Sequence, residues 1–298
     1  MTHLAELTDP VISRIVQDVA REHRLEVAAD QIRVFTSRTA TICKLPAASG
    51  HYALKIRASP RFDRDVFFYE RLHEHGIAAP RVYAHGVHDG RAFLLYDWIE
   101  GGQAATDRHA LGSAIGQTLA LVHQIEVDGA GDWSAGAWSA TRWEDFLAAN
   151  VEANFIAAIN ASNESSEFCK RLSDALHALV ETCRAASIPA RLLHGDVHPD
   201  NVIWTRTGQA LLIDPGWCLG GDTLLDVSYM LLHRDAAADL LAGFREGYGG
   251  FEHLDPVRLA QYAVYHHAAK LLHFRAVGNE LVAEQHRARL LPLLGLAP

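Results

Sequence analysis

Apolar positions along the chain change their period several times, and each change marks an element. Val11, Ile12, Ile15, Val16 and Val19 recur at helical spacing, which predicts an amphipathic helix over residues 10–23. From residue 32 to 57 the pattern shortens to alternating runs, IRVFTS, TATICKL and HYALKIR, the last two separated by residues 46–50. Two or three antiparallel strands joined by hairpin turns fit that pattern. A helix is expected over residues 62–75, then a proline-led strand within 77–87 and a buried strand, RAFLLYDWI, over 91–99. Gly101 and Gly102 follow and mark the expected boundary, which gives one lobe over residues 1–100 and another over 101–298.

Beyond the glycines the spacing turns helical. Leu111, Ile115, Leu119 and Val122 predict a core helix within residues 107–125. Residues 128–140, with glycines and two tryptophans, read as a loop, and helices are expected over 143–159 and 167–185. Short apolar runs at 192–193, 202–204 and 210–213 read as strand-like supports around polar turns. Asp222 is placed to cap a helix carrying Leu224, Leu225, Val227, Met230 and Leu231, and helices over 236–246, 256–276 and 280–294 complete the chain. The class is α+β, sheet first and helices afterwards.

Composition narrows the partners. The chain has 298 residues, 49% hydrophobic and 21% charged, the values of an ordinary folded protein. Its net charge of -9 argues against nucleic acid, which wants a basic face, and is compatible with a cationic substrate. Cys43, Cys169, Cys183 and Cys218 lie far apart, as reduced thiols do, and not in a zinc or disulfide pattern. No signal peptide is visible at the N-terminus and no apolar run approaches a membrane span, so a cytoplasmic protein without a membrane partner is expected.

The chemistry concentrates in residues 191–229. Asp196 and Asn201 flank one turn, and Asp214 follows the apolar run at 210–213, stopped by Pro215 and Gly216. Two carboxylates and an amide on short supports suit a divalent cation and a proton acceptor. The string HGDVHPDN at 194–201, followed by Asp214 and then by Gly221, Asp222 and Asp226, resembles the catalytic and metal motifs of the aminoglycoside phosphotransferase and choline kinase-like small-molecule kinases.

That resemblance implies a bilobal protein-kinase-like fold, with a small antiparallel-sheet lobe and a larger, mainly helical one. It further implies ATP or GTP as phosphate donor, Mg2+ as the cation and a small hydroxylated molecule as acceptor. Asp196 is then the catalytic residue, Asn201 and Asp214 the metal ligands, and Asp226 a buried support of the catalytic loop, with His194 packed beside it. Lys55, in the apolar strand YALKI, resembles the lysine that holds the α- and β-phosphates. Aligning DVFFYERL with the family's usual helix puts Asp65, not Glu70, opposite that lysine. Five residues turn a helix by about 140°, so the two acids cannot both face it. The backbone C=O of Asp97 and N–H of Ile99 are implied as the adenine contacts, with Tyr96 limiting the pocket's depth. Residues 36–41, which hold no glycine, occupy the place of the phosphate-covering loop. Together these residues are expected to converge on one cleft.

Two other readings stay open. His194, Asp196 and His198 form an H-x-D-x-H cluster that could ligate a transition metal in a phosphoesterase, and a kinase-shaped binding protein without catalysis is the third class. The acceptor could be an aminoglycoside or other antibiotic, a choline-like alcohol, a sugar or an amino-acid alcohol, and a role in antibiotic resistance follows only from the family's prevalence.

Overall fold

Asp9 starts the first helix: its carboxylate accepts from the N–H groups of Val11 and Ile12 at 2.8 and 3.3 Å, and Pro10 stands in the first turn, where no N–H is needed. This helix, α1 (Pro10–Glu22), buries Ile12, Ile15, Val16 and Val19 in a cluster with Val34, Leu45, Leu54, Ile56 and Leu95. The computed structural model describes residues 3–5, 9–37, 39–58, 62–101, 107–233 and 237–297. The chain divides into two units, Met1–Thr106 with Ile203–Asp214, and Asp107–Val202 with Pro215–Pro298.

The first unit is built on a six-stranded antiparallel sheet of β1 (His3–Ala5), β2 (Arg33–Thr36), β3 (Thr41–Ala47), β4 (Gly50–Arg57), β5 (Val82–His88) and β6 (Arg91–Asp97), in the order β1-β2-β3-β4-β6-β5. Three residues of β1 are too few to show a period, and the sequence gives no sign of them. Between β5 and β6, Asp89 and Gly90 both have positive φ, 48° and 74°, the primed turn that matches strand twist. The strand expected within 77–87 begins only at Val82, because Pro80 has no N–H to give to a ladder. α2 (Asp63–Glu74) buries Asp65, Val66, Phe68, Tyr69 and Leu72.

In the second unit α3 (Arg108–Val122) lies backbone to backbone against α8 (Ala238–Tyr248). A Cβ added at Gly112 would lie 2.0 Å from Leu240 O, one at Gly116 2.4 Å from Phe244 O, one at Gly243 2.0 Å from His109 O and one at Gly247 1.9 Å from Ser113 O. The sequence shows these as G-x-x-x-G on each helix, a spacing that puts both glycines on one face. The helix expected from 236 starts at Ala238, with Ala236 outside the described residues.

The expected loop at 128–140 is a hairpin, β7 (Ala130–Ser134) and β8 (Ala137–Ala140), turning through Ala135 and Gly136 at φ 51° and 83°. Trp133 and Trp138 meet across it with centroids 5.1 Å apart, a cross-strand pair that outweighs the glycines' poor strand propensity. β7 continues through β12 (Leu219–Gly221) to β9 (Arg191–Leu193), so Gly220 and Gly221, just ahead of Asp222, are strand residues. Side chains have no room there: a Cβ at Gly221 would lie 2.3 Å from the Trp143 ring.

The helix expected over 143–159 is broken into α4 (Trp143–Asn150), a π-helical stretch Val151–Ile156 and α5 (Ala157–Asn160). α6 (Ser166–Ala186), capped by Ser165, then α7 (Leu224–Leu232), α9 (Pro256–Ala276) and α10 (Glu280–Leu293) complete the unit. Its core joins Trp143, Leu147, Phe168, Leu176, Leu193, Leu219, Leu225 and Tyr262, and Trp143 donates its indole N–H to the Tyr262 hydroxyl at 2.8 Å. Between α6 and α7 the chain returns to the first unit as the hairpin of β10 (Val202–Trp204) and β11 (Ala210–Leu212). All four cysteines are free. Among the described residues no helix is long and apolar enough to cross a membrane.

Candidate active site

In the first unit, β4 delivers Lys55 into the interior, where it is 6% exposed. Its ammonium lies 2.6 Å from Asp214 Oδ1 and 4.0 Å from Asp65 Oδ1, while Arg57 lies 3.3 Å from Asp65 Oδ2 and over the Phe62 ring. Burial pushes the Asp65 carboxyl up to about 6, although Lys55 and Arg57 pull the other way. Its Oδ1 is buried without a hydrogen bond, so Lys55 meets it as a charge only. Glu70 is on the exposed face of α2. Asp214 follows β11 in the left-handed region at φ 56°, a conformation that Asp tolerates better than most residues. Its N–H donates to the hydroxyl of buried Tyr69 at 3.1 Å.

The Asp97 carboxylate accepts from Arg81 N–H at 3.0 Å and from the Tyr83 hydroxyl at 2.7 Å, and pushes the Tyr83 hydroxyl up to about 12. Ile99 is half-buried just past the end of β6, and Tyr96 is on β6 itself. In the turn at 36–41, Ser37 Oγ accepts from the N–H groups of Thr39 and Ala40 and donates to Ala40 O, so a serine closes the turn that a glycine would otherwise make. Arg38 lies outside the described residues.

In the second unit, the loop after β9 carries the other half of the expected set. Asp226, fully buried at the start of α7, accepts from His194 N–H and Gly195 N–H, each at 2.8 Å. His123 is hydrogen-bonded to it through Nε2 at 3.2 Å and to the Tyr248 hydroxyl through Nδ1 at 2.8 Å. Burial opposes the Asp226 charge, but His123 and the loop N–H groups outweigh it and hold the carboxyl below its usual range. The loop's backbone is thereby fixed by a charge beneath it. Gly195 has φ 78°, and a Cβ there would lie 2.8 Å from Trp217 Cβ, so both conformation and space require glycine.

Asp196 is held by donors on several sides. Asn201 Nδ2 donates to its Oδ2 at 2.9 Å and to its carbonyl at 3.0 Å, His198 Nε2 is 3.4 Å from Oδ2, and the Tyr229 hydroxyl is hydrogen-bonded to the carboxylate. Burial raises its pKa, yet His198 and Tyr229 more than reverse this, and Asp196 stays ionised far below the usual carboxylate range. Tyr229 in turn accepts from Lys270 at 2.8 Å, and His198 stacks on His233 with centroids 4.6 Å apart. His194 is fully buried, its Nδ1 accepting from Asp196 N–H at 3.3 Å, so it meets the backbone of Asp196 while His198 meets its carboxylate. Among the described residues no three His, Cys, Asp or Glu side chains are grouped to hold a metal ion.

Sequence reasoning missed Tyr69, His123, Tyr229, Trp217 and Lys270. Tyr229 had a faint signal, lying three residues after Asp226 on the same face of α7. Lys270 is on α9, and nothing in the sequence ties it to residue 229.

An antiparallel-sheet unit followed by a mainly helical one is the protein-kinase-like fold. The chain belongs to the phosphotransferase enzyme family (APH), whose model matches residues 20–262. It is 25% identical over 240 residues to a probable ketoamine kinase of Lactiplantibacillus plantarum, covering 74% of this chain and 81% of that protein. It is 26% identical over 155 residues to an aminoglycoside 3'-phosphotransferase of Streptomyces fradiae, covering 50% and 52%. Among solved structures, a thermostable mutant of aminoglycoside phosphotransferase APH(4)-Ia, in a ternary complex with AMP-PNP and hygromycin B, shares the fold with a TM-score of 0.71 and 17% identity, over 93% of this chain and 97% of that one. Family membership makes the protein a small-molecule kinase.

Proposed function

We propose that this enzyme moves the γ-phosphoryl group of ATP or GTP to a hydroxyl of a small molecule, with Asp196 as the catalytic residue. The observation that carries the reading is the Asp196 carboxylate itself, ionised and immobilised by Asn201, His198 and Tyr229 on a loop fixed by Asp226. Phosphoryl transfer has a loose transition state, so the protein's work is positioning and charge neutralisation. Asp196 accepts a hydrogen bond from the acceptor hydroxyl and aims its oxygen. The new O–P bond forms as the bond to the β-phosphate oxygen breaks, and the hydroxyl proton leaves by way of the carboxylate. Held so far below the usual range, Asp196 is a weak base, and its main contribution is alignment.

Lys55, kept in place by Asp65, neutralises the α- and β-phosphates, and the backbone of Asp97 and Ile99 reads the adenine edge. Asn201 and Asp214 are the residues that would hold Mg2+. The fit is chemical: Asn201 turns its NH2 to Asp196 and keeps its amide oxygen for a hard cation, and the Asp214 side chain is 46% exposed despite its contact with Lys55. Magnesium, when bound, supplies charge to the phosphate oxygens. The relatives' aminoglycoside and ketoamine acceptors support a hydroxylated amine, and the net charge of -9 agrees with a cation. The cytoplasm, where free cysteines persist and nucleotide is abundant, is the compartment we assign.

The test is Asp196→Ala, assayed by product mass with magnesium nucleotide and a panel of hydroxylated amines. Transfer is expected to fall by about 100-fold or more, while nucleotide affinity stays within about threefold. A variant that turns over at the normal rate refutes the assignment.

A further inference from the structure

Of the six tryptophans, Trp217 alone is exposed, at 57% of its surface. An indole left in water wastes the largest apolar face that a side chain offers, and the place where it is left matters. Trp217 follows Pro215 and Gly216 and runs alongside the loop that carries Asp196. Its N–H and that of Cys218 both donate to His194 O at 3.4 Å. A Cβ at Gly195 would lie 2.8 Å from Trp217 Cβ and 3.2 Å from Cδ1, and a Cβ at Gly216 would lie 2.5 Å from Asp196 Cβ. The two segments touch backbone to backbone through their glycines, so the foot of the indole is pinned one residue from the carboxylate while its ring faces outward.

The other side chains around Asp196 are polar hydrogen-bonding groups. His198 lies 3.4 Å from its Oδ2, His233 stacks on His198, and Tyr229, bonded to the same carboxylate, receives the Lys270 ammonium at 2.8 Å. Imidazoles, a phenol and an ammonium are good partners for hydroxyl groups, which both donate and accept. The Lys270 ammonium is the cation among them, and like charge disfavours further ammonium groups brought beside it.

We propose that Trp217 is the platform on which a ring-shaped acceptor with few positive charges lays its C–H face while a hydroxyl meets Asp196, an assignment that rests on the phosphotransfer reading above. It narrows the acceptor from hydroxylated amines in general to cyclic sugars carrying at most one ammonium, and turns the enzyme away from polycationic antibiotics.

Calorimetry with magnesium nucleotide present tests this on three probes: 1-amino-1-deoxyfructose, its open-chain hexitol counterpart, and kanamycin as the polycation. Trp217→Ala should weaken the ring sugar by at least about fivefold, the low end for an aromatic stacking platform, and Trp217→Phe should stay within about threefold of wild type. The open-chain probe should respond to neither. Because the ring is exposed, both variants should keep the wild-type melting temperature, which separates stacking from a folding defect. Equal affinity of Trp217→Ala and wild type for the ring sugar, no ring-sugar binding by wild type, or tighter binding of kanamycin overturns the proposal. Sugar that binds through Trp217 yet gains no phosphate leaves the platform standing and sinks the phosphotransfer reading alone.

Discussion

Lys55 had two candidate acids on one helix, and geometry separates them. Asp65 is buried 4.0 Å from the ammonium, whereas Glu70 faces water. On the proposed role of Lys55, Asp65→Ala should lower kcat/KM for the nucleotide by roughly thirtyfold, about 2 kcal/mol of transition-state stabilisation. Glu70→Ala should leave it within about twofold. Steady-state kinetics at fixed acceptor concentration checks both, and equal effects would mean that neither acid sets the lysine. At this scale the sequence was informative wherever a residue's partner was close in the chain or its environment was written in its neighbours. Asp226 among leucines had to be buried, and a buried carboxylate had to have donors. Tyr229 and Lys270 had no such mark, because the contact that gives each its role comes from a helix 41 residues away.

Elements were legible where a period could run long enough to declare itself. α1, α2, α3, α6, α9 and α10 all fall within a few residues of expectation. The hairpin at Ala130–Ala140 and the strand Leu219–Gly221 did not show, because glycine carries no hydropathy and marks a turn in one setting and a close approach in another. The α3–α8 pair makes the same point. Its four glycines occupy space that any side chain would need, with carbonyl oxygens 1.9 to 2.4 Å from a Cβ. Gly247→Ala should therefore destabilise by about 3 kcal/mol or more, as overpacking that backbone cannot relieve. Thermal denaturation measures it, and a melting temperature equal to wild type would show that the helices can part without cost.

The whole molecule carries a pH dependence that no single motif announces. His267 and His286 meet through their Nδ1 atoms at 3.1 Å, with His266 beside His267 in the chain and Lys270 one turn on. Burial is the main cause that holds His266 at about 4, His267 at about 3 and His286 at about 4, with Lys270 and Arg289 adding to it at His267 and His286. In the unfolded chain each imidazole takes its proton near 6.5. Below that value the unfolded state binds protons that the native state refuses, so this part of the stability is complete above about pH 6.5 and is lost as pH falls toward 4. Melting temperatures should drop across that window, and His267→Asn should flatten the slope; an unchanged slope in the variant would show that His267 takes no part in the loss. Eighteen histidines were plain in the sequence, but which of them are kept neutral is a property of packing.

One consequence of the paired glycines reaches past stability. Most helix contacts can drift over generations, one side chain shrinking as its neighbour grows, so that the fit survives a change of both. Where α3 meets α8 there is no bulk to exchange, and compensation has nothing to work with. That seam is inherited whole or lost.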